Sequence, residues 1–338
     1  MNNLLKYYYH KFNKDPKRWY PFLSVFYLTN ACNFRCPYCS DGFGKPYYQL
    51  SNKVLPATEV LKILKNIRLN CDSVVITGGE PLNYPEFDEV MTNIKSLKYK
   101  EIVLTTNGFS MDKHLDAISR VTTLVISLDT LNEQKADQNY GAGNGVFRKI
   151  MNNLELAEKY PKRKYDIYIS AVLTPGNIND LYEVYEFSQM HQFIFAAAPH
   201  LEGVKANKLL QLDDQYYQFF NHLVKEKKKG RKIFGTRLYL EYMRDLKKFE
   251  CKPFTMLVVS PEGNVFYPCL EMGTYADNIL HQNNLHKIMQ AGNEKFGPAP
   301  QCDNRCHSAC ALGFGLLLKY PRTMIEERFY EIKGRFQK

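Results

Sequence analysis

Three cysteines fall within eight residues at Cys32-Asn33-Phe34-Arg35-Cys36-Pro37-Tyr38-Cys39. Thiolates are soft ligands, and this C-x3-C-x2-C spacing gathers three of them on one tight loop. A tetrahedral zinc site takes four ligands, often from two C-x2-C pairs, so zinc would need a fourth from elsewhere. An iron–sulfur cluster is built for thiolates, and a four-iron cube held by three cysteines leaves one iron open to another molecule. A second group follows far downstream. Cys251, then 17 residues with a hairpin signal, then Cys269 lead to Cys302-x3-Cys306-x3-Cys310. Zinc competes with iron there too, since four thiolates suit either.

The elements that must position the first loop are legible as a rhythm. Short runs rich in Val, Ile, Leu and aromatics occur at Phe22 to Leu28, Ser73 to Thr77, Glu101 to Thr106, Thr123 to Leu128, Tyr165 to Thr174 and Phe193 to Ala198. They read as strands. Between them Thr58 to Leu69, Tyr84 to Leu97, Met111 to Ile118, Gly145 to Lys159 and Ile178 to Met190 have helical period and length. Such alternation makes a parallel α/β sheet or barrel. Six units are too few for a closed eight-stranded barrel, so a partial one, open along one side, is expected. In these folds ligands sit at the carboxyl ends of the strands. The cysteine loop, Gly78-Gly79-Glu80-Pro81, Thr106-Asn107-Gly108 and Ser127-Leu-Asp129 all fall there.

In that order these motifs resemble the radical S-adenosylmethionine (radical SAM) superfamily, over roughly residues 22 to 200. The resemblance implies a partial (βα)6 barrel. It further implies a [4Fe–4S] cluster on Cys32, Cys36 and Cys39 that binds SAM at its open iron, and a 5′-deoxyadenosyl radical that takes hydrogen from substrate. By position Tyr38 would approach the adenine, chiefly through backbone. Gly78 and Gly79 would let the backbone come close to the methionyl amine, with Glu80 helping to hold that end. Asn107, Ser127 and Asp129 would face the ribose or carboxylate of SAM, and Val172 to Pro175 would lie under the adenine. A flavodoxin- or ferredoxin-type electron donor is the partner such chemistry implies.

The second cysteine group resembles the SPASM and twitch extensions of that superfamily, which bind auxiliary [4Fe–4S] clusters. A full SPASM domain carries seven cysteines; five lie here within sixty residues. One auxiliary cluster is expected, on Cys251, Cys269, Cys310 and either Cys302 or Cys306. The thiol left over could donate hydrogen to a substrate radical, as an epimerase needs. The expected layout is a basic aromatic extension at 1–21, a radical SAM core at 22–210, a helical linker at 211–250, a cluster domain at 251–320 and a tail at 321–338.

Composition sets the outer bounds. The chain has 338 residues, 45% hydrophobic and 24% charged, with nine cysteines and a net charge of +10. An odd cysteine count with no signal core favours metal or catalysis over a disulfide framework, and a cytoplasmic setting. The N-terminal Tyr7, Tyr8, Tyr9, Lys11, Arg18 and Trp19 could rest on a membrane interface or pack on the body. The positive charge lies largely in short runs such as Lys225-Glu-Lys-Lys-Lys229, which read as solvated surface, so no nucleic-acid partner is expected.

A small-molecule or lipid-like substrate is favoured. A peptide maturase, acting on a peptide substrate, is the alternative; such members of this superfamily often carry an N-terminal peptide-binding domain, for which the residues before the first strand are too few. Molybdopterin-precursor synthases end in a Gly-Gly tail, whereas this chain ends Arg335-Phe-Gln-Lys338. The reading of another class is a non-catalytic metal protein that binds nucleic acid through its basic surface.

Overall fold

The structure is a computed structural model that describes residues 19–41, 44–50, 53–299 and 306–335. The N-terminal basic aromatic segment up to Arg18, Cys302 and the last three residues lie outside the described residues. In chain order the first part runs β1 (Leu23–Thr29), α1 (Ala57–Asn70), β2 (Ser73–Gly78), α2 (Phe87–Ile94), β3 (Glu101–Thr106), α3 (Leu115–Ile118), β4 (Thr123–Ser127), α4 (Glu133–Tyr140), α5 (Val146–Lys159), β5 (Asp166–Leu173), α6 (Ile178–Met190) and β6 (Ile194–Pro199). The remainder runs β7 (Leu201–Glu202), β8 (Lys205–Ala206), α7 (Lys208–Gln211), α8 (Asp214–Lys228), α9 (Arg237–Arg244), β9 (Met256–Val259), β10 (Asn264–Tyr267), β11 (Thr274–Asn278), α10 (Leu285–Phe296), α11 (Ala309–Lys319) and α12 (Thr323–Arg335). The fold is α/β, and β1 to β6 with their helices form the βα repeat expected of a partial (βα)6 barrel.

The chain divides into two compact units. The first holds residues up to Val125, Tyr140–Tyr165 and Pro253–Pro300. In it β1 pairs in parallel with β2, and β2 with β3. Parallel strands covered on both faces are apolar throughout, and Phe26, Val74, Ile76 and Leu104 are wholly buried. Helix α1 shows why it docks: Val60, Ile63, Leu64 and Ile67 recur at helical spacing and form its buried face.

Two features depart from the sequence pattern. The segment from Met111 to Ile118 is not one helix but a 3-10 turn over Met111–Lys113 followed by α3, because His114 at the junction leaves helical backbone geometry. Strand β9, read as part of an appended domain, pairs in parallel with the outer edge of β1 in the register Leu23 with Met256 to Phe26 with Val259. The hairpin signal Pro261-Glu-Gly-Asn264 then turns the chain into β10, which continues antiparallel to β11. Trp19 belongs to this packing: it is buried, its indole N–H donates to the Met256 carbonyl at 3.0 Å, and its ring meets Phe254 edge-on.

The second unit holds Ile126–Asn139, Asp166–Lys252 and the chain from Gln301. Its parallel pair β5–β6 is backed by α6 and by the amphipathic α8, whose Tyr216, Phe219, Phe220, Leu223 and Val224 are buried. Helices α9, α11 and α12 pack together at its C-terminal side. No described helix is long and apolar enough to cross a membrane.

Candidate active site

The cysteine loop begins where β1 ends, and the end of β2 holds it there. Gly79 N donates to the Thr29 carbonyl at 2.7 Å and Glu80 N to that of Ala31 at 2.8 Å, so Gly78-Gly79-Glu80 runs against Thr29 to Ala31 backbone to backbone. Both glycines are required by this approach. Gly78 has φ +141°, and a Cβ on it would stand 2.1 Å from the Thr29 carbonyl oxygen; one on Gly79 would stand 2.4 Å from those of Asn30 and Ala31. Besides the approach to a ligand that the sequence suggests, these glycines admit the backbone leading into Cys32.

Glu80 is likewise turned to the protein. It is 1% exposed. Its Oε1 accepts from Leu82 N at 3.0 Å and from the Thr106 hydroxyl at 2.7 Å, and its Oε2 accepts from Asn107 N at 2.7 Å. One carboxylate thus ties the ends of β2 and β3. Burial pushes its carboxyl up to about 7, against the pull of these three donors.

Within the loop, Asn33 does work that spacing does not reveal. Its Oδ1 accepts from Asn107 Nδ2 at 3.0 Å and from Asn83 Nδ2 at 3.2 Å, linking the loop to the ends of β3 and β2. Phe34 is buried and stacks on Tyr140, with ring centroids 4.9 Å apart and 12° between planes, while Phe109 meets it edge-on at 6.0 Å. Arg35 N donates to the Tyr140 carbonyl at 2.8 Å, and its guanidinium donates to the carbonyls of Cys32 and Phe34 and lies 4.4 Å over the Tyr48 ring. The residues between Cys32 and Cys36 thus anchor the loop, while the cysteines are exposed or half-buried.

The chemistry of the donor set suits an iron–sulfur cluster. Cys32 Sγ accepts from Phe34 N at 3.3 Å, the kind of N–H to sulfur bond that tunes such clusters, and Cys39 N closes a turn on the Cys36 carbonyl at 3.1 Å. Desolvation raises the Cys32 thiol. Cys39 is exposed by surface area, yet the protein around its sulfur, and then the nearby Cys32, push its thiol up to about 11. Thiolates here therefore call for a cationic partner. Among the described residues no group of three or more Cys, His, Asp or Glu side chains is placed to hold a single metal ion. A four-iron cube, by contrast, takes each thiolate on a different iron, so its ligands stand further apart than those of a mononuclear site.

Cys32, Cys36, Tyr38, Cys39, Gly78, Gly79, Glu80 and Asn107 all belong to the first unit. Ser127, Asp129 and Val172 belong to the second. There Asp129 is buried and its Oδ1 accepts from Val172 N at 2.7 Å, while Asn177 Nδ2 donates to the Val172 carbonyl at 2.9 Å. Ser127 ends β4, half-buried. Asp129 and Val172 are thus brought together by a direct bond, which sequence order did not show. Of the later cysteines, Cys269 follows β10 in the first unit, and Cys251, Cys306 and Cys310 lie in the second. His307 is buried, and its Nδ1 accepts from Ala206 N at 2.7 Å.

Comparison with known proteins falls on the same stretch. Over 160 residues the chain is 34% identical to the GTP 3′,8-cyclase of Synechocystis sp., a match covering 46% of this chain and 48% of the relative. The chain spans about half the length of the curated relatives it matches first. Among solved structures, anSMEcpe with bound AdoMet aligns with a TM-score of 0.66 at 18% identity, over 93% of this chain and 98% of that one. SuiB of Streptococcus suis bound to precursor peptide SuiA aligns with a TM-score of 0.63 at 18% identity, over 85% and 67%. These two likenesses are of fold. Residues 26–188, which open just before the cysteine loop and contain the βα repeat, match the family model of the Radical SAM superfamily, and the chain therefore carries a radical SAM domain.

Proposed function

We propose that this chain is a radical SAM enzyme acting on an unactivated C–H bond of a small-molecule or lipid-like substrate. Cys32, Cys36 and Cys39 would hold its [4Fe–4S] cluster, and Tyr38, Gly78, Gly79, Asn107, Ser127, Asp129 and Val172 would bind SAM. When bound and reduced, the cluster supplies the electron that splits SAM into methionine and the 5′-deoxyadenosyl radical, which takes hydrogen from substrate. The observation that carries the reading is the fastening of the cysteine loop. Backbone bonds from Gly79 and Glu80, the Asn33 carbonyl and the Phe34 ring hold the residues between the cysteines and leave the sulfurs for ligation. Glu80, proposed with the SAM-binding residues to help hold the methionyl end of SAM, also braces the ends of β2 and β3.

A second cluster, on Cys251, Cys269, Cys310 and Cys302 or Cys306, is proposed from residue type and spacing. It would serve oxidation, epimerisation or rearrangement, with the remaining thiol as hydrogen donor. The relatives named for GTP support a small substrate over a peptide. A flavodoxin- or ferredoxin-type protein would supply electrons.

Anaerobic reconstitution with iron and sulfide, followed by SAM and dithionite, tests both parts. About eight irons per chain and release of 5′-deoxyadenosine are expected, falling to about four irons and no product in Cys32→Ala, Cys36→Ala or Cys39→Ala. A fully loaded protein that releases no 5′-deoxyadenosine would sink the enzyme reading. Tight, salt-sensitive RNA binding without SAM turnover would favour the nucleic-acid alternative.

A further inference from the structure

The C-terminal helices of the second unit carry a surface that the proposed chemistry does not use. Helix α12 presents its two faces unequally. Glu327 points inward, its Oε1 accepting from Arg237 N at 2.7 Å and its Oε2 lying 3.2 Å from Lys227 Nζ, and Glu326, half exposed, is neutralised by Arg237, whose Nη2 lies 3.2 Å from Glu326 Oε2. Its apolar side chains point outward. Ile325 and Phe329, one helical turn apart, are 61% and 68% exposed, and Met324 beside them is 42% exposed. This reverses the usual arrangement, in which a surface helix buries its apolar stripe and shows its charges.

The rim of that apolar face is cationic. Lys319 and Arg322 lie on the turn from α11 into α12 and are exposed. Among the described residues neither is ion-paired with a carboxylate; Lys319 Nζ lies 5.6 Å over the Tyr320 ring instead. With Arg237, Tyr242 and Tyr320 they line a cavity of about 500 Å³. Among the described residues its one carboxylate, Glu326, already faces Arg237. Two cations remain for an outside anion.

We propose that this face seats on an anionic lipid bilayer. Ile325, Phe329 and Met324 would enter the boundary between headgroups and acyl chains, and Lys319 and Arg322 would meet the headgroup phosphates. The charge pattern selects this occupant. An exposed apolar ledge alone would suit any partner, but one flanked by Lys319 and Arg322, with Glu326 and Glu327 already neutralised by Arg237 and Lys227, complements a surface that is both apolar and negative. Adding aromatic and aliphatic burial to electrostatic attraction is what makes interfacial helices bind, and each part is weak without the other. The inference is independent of the reaction assigned above.

Co-sedimentation of the full chain with vesicles tests it. Vesicles of 70% phosphatidylcholine and 30% phosphatidylglycerol should bind the protein in 100 mM NaCl, and vesicles of pure phosphatidylcholine should bind at least tenfold more weakly. The double variants Lys319→Glu/Arg322→Glu and Ile325→Ser/Phe329→Ser should each weaken binding at least tenfold while keeping the circular dichroism spectrum of the parent. Raising NaCl to 500 mM should release the parent protein. Absence of binding to the anionic vesicles, equal binding to neutral ones, or full binding by either double variant would overturn the proposal. So would light scattering that shows a dimer dissociated by Ile325→Ser/Phe329→Ser, since the face would then belong to a second copy.

Discussion

Replacing Asn33 by leucine removes the side-chain carbonyl that accepts two hydrogen bonds, and the amide NH2 with it, at nearly constant shape. The Asn33 carbonyl accepts from Asn107 at 3.0 Å and from Asn83 at 3.2 Å. A neutral hydrogen bond of this kind contributes about 0.5–1.5 kcal/mol net, so the pair is worth about 1–3 kcal/mol. Asn33 is half-buried, which places the expected loss in the lower part of that range, about 1–2 kcal/mol. Asn33→Asp is the informative partner. It keeps the acceptor, now charge-assisted, and should stay within about 0.5 kcal/mol of the parent. Urea unfolding of the metal-free protein under anaerobic conditions reads both changes directly. Iron content and the electron paramagnetic resonance line shape of the reconstituted, reduced protein read their effect on the loop, and leucine should lower the first and broaden the second. A leucine variant as stable as the parent, with full iron and an unchanged spectrum, would refute the assignment of Asn33 as a positioning residue. An aspartate variant as damaged as the leucine one would refute the acceptor argument specifically.

Gly79→Ala places a methyl group 2.4 Å from two carbonyl oxygens that cannot step aside, so a loss above about 2 kcal/mol in urea unfolding and poor iron loading are expected. Phe34→Ala removes a buried ring stacked on Tyr140, and about 3 kcal/mol should go with it, measured the same way. Stability should also depend on pH through Glu80. Its carboxyl is pushed up to about 7 by burial, from an ordinary 4.5. The native state therefore holds a proton that the unfolded chain has released, and the contribution present below pH about 4.5 is lost as pH rises through about 7, up to about 3 kcal/mol in all. In Glu80→Gln this part of the slope should vanish when urea unfolding is compared across pH 5 to 8.

The repeat of strands and helices was legible because each element is local and covered on a predictable face. Ile178 to Met190 and Glu101 to Thr106 come out with the bounds that periodicity assigns them. The cysteine loop was legible for another reason, since three thiols in eight residues have few structural uses. What stayed hidden depends on long-range pairing. Nothing near Met256 says that β9 will lie along β1, more than two hundred residues earlier, because that edge exists only once β1 has folded. The direction in which a polar side chain turns is hidden too. Glu80 and Asp129 stand at strand ends, and that each carboxylate accepts from a neighbouring backbone N–H, as a buried one must, shows only in the fold. Asn33 and Phe34 carried no signal of their own; they matter through Asn107, Asn83 and Tyr140, which the chain supplies much later.

The stacking of Phe34 on Tyr140 bears on the order of events when iron arrives. In a zinc finger the metal must repay the cost of ordering its ligands, so folding waits for it. Here part of that order is held by the protein itself, through a ring, an amide and a pair of glycines whose contacts involve no sulfur. The loop is therefore expected to stay folded when oxygen destroys the cluster, and an unchanged circular dichroism spectrum after such loss checks it. Repair after such damage would be a matter of replacing the inorganic part alone.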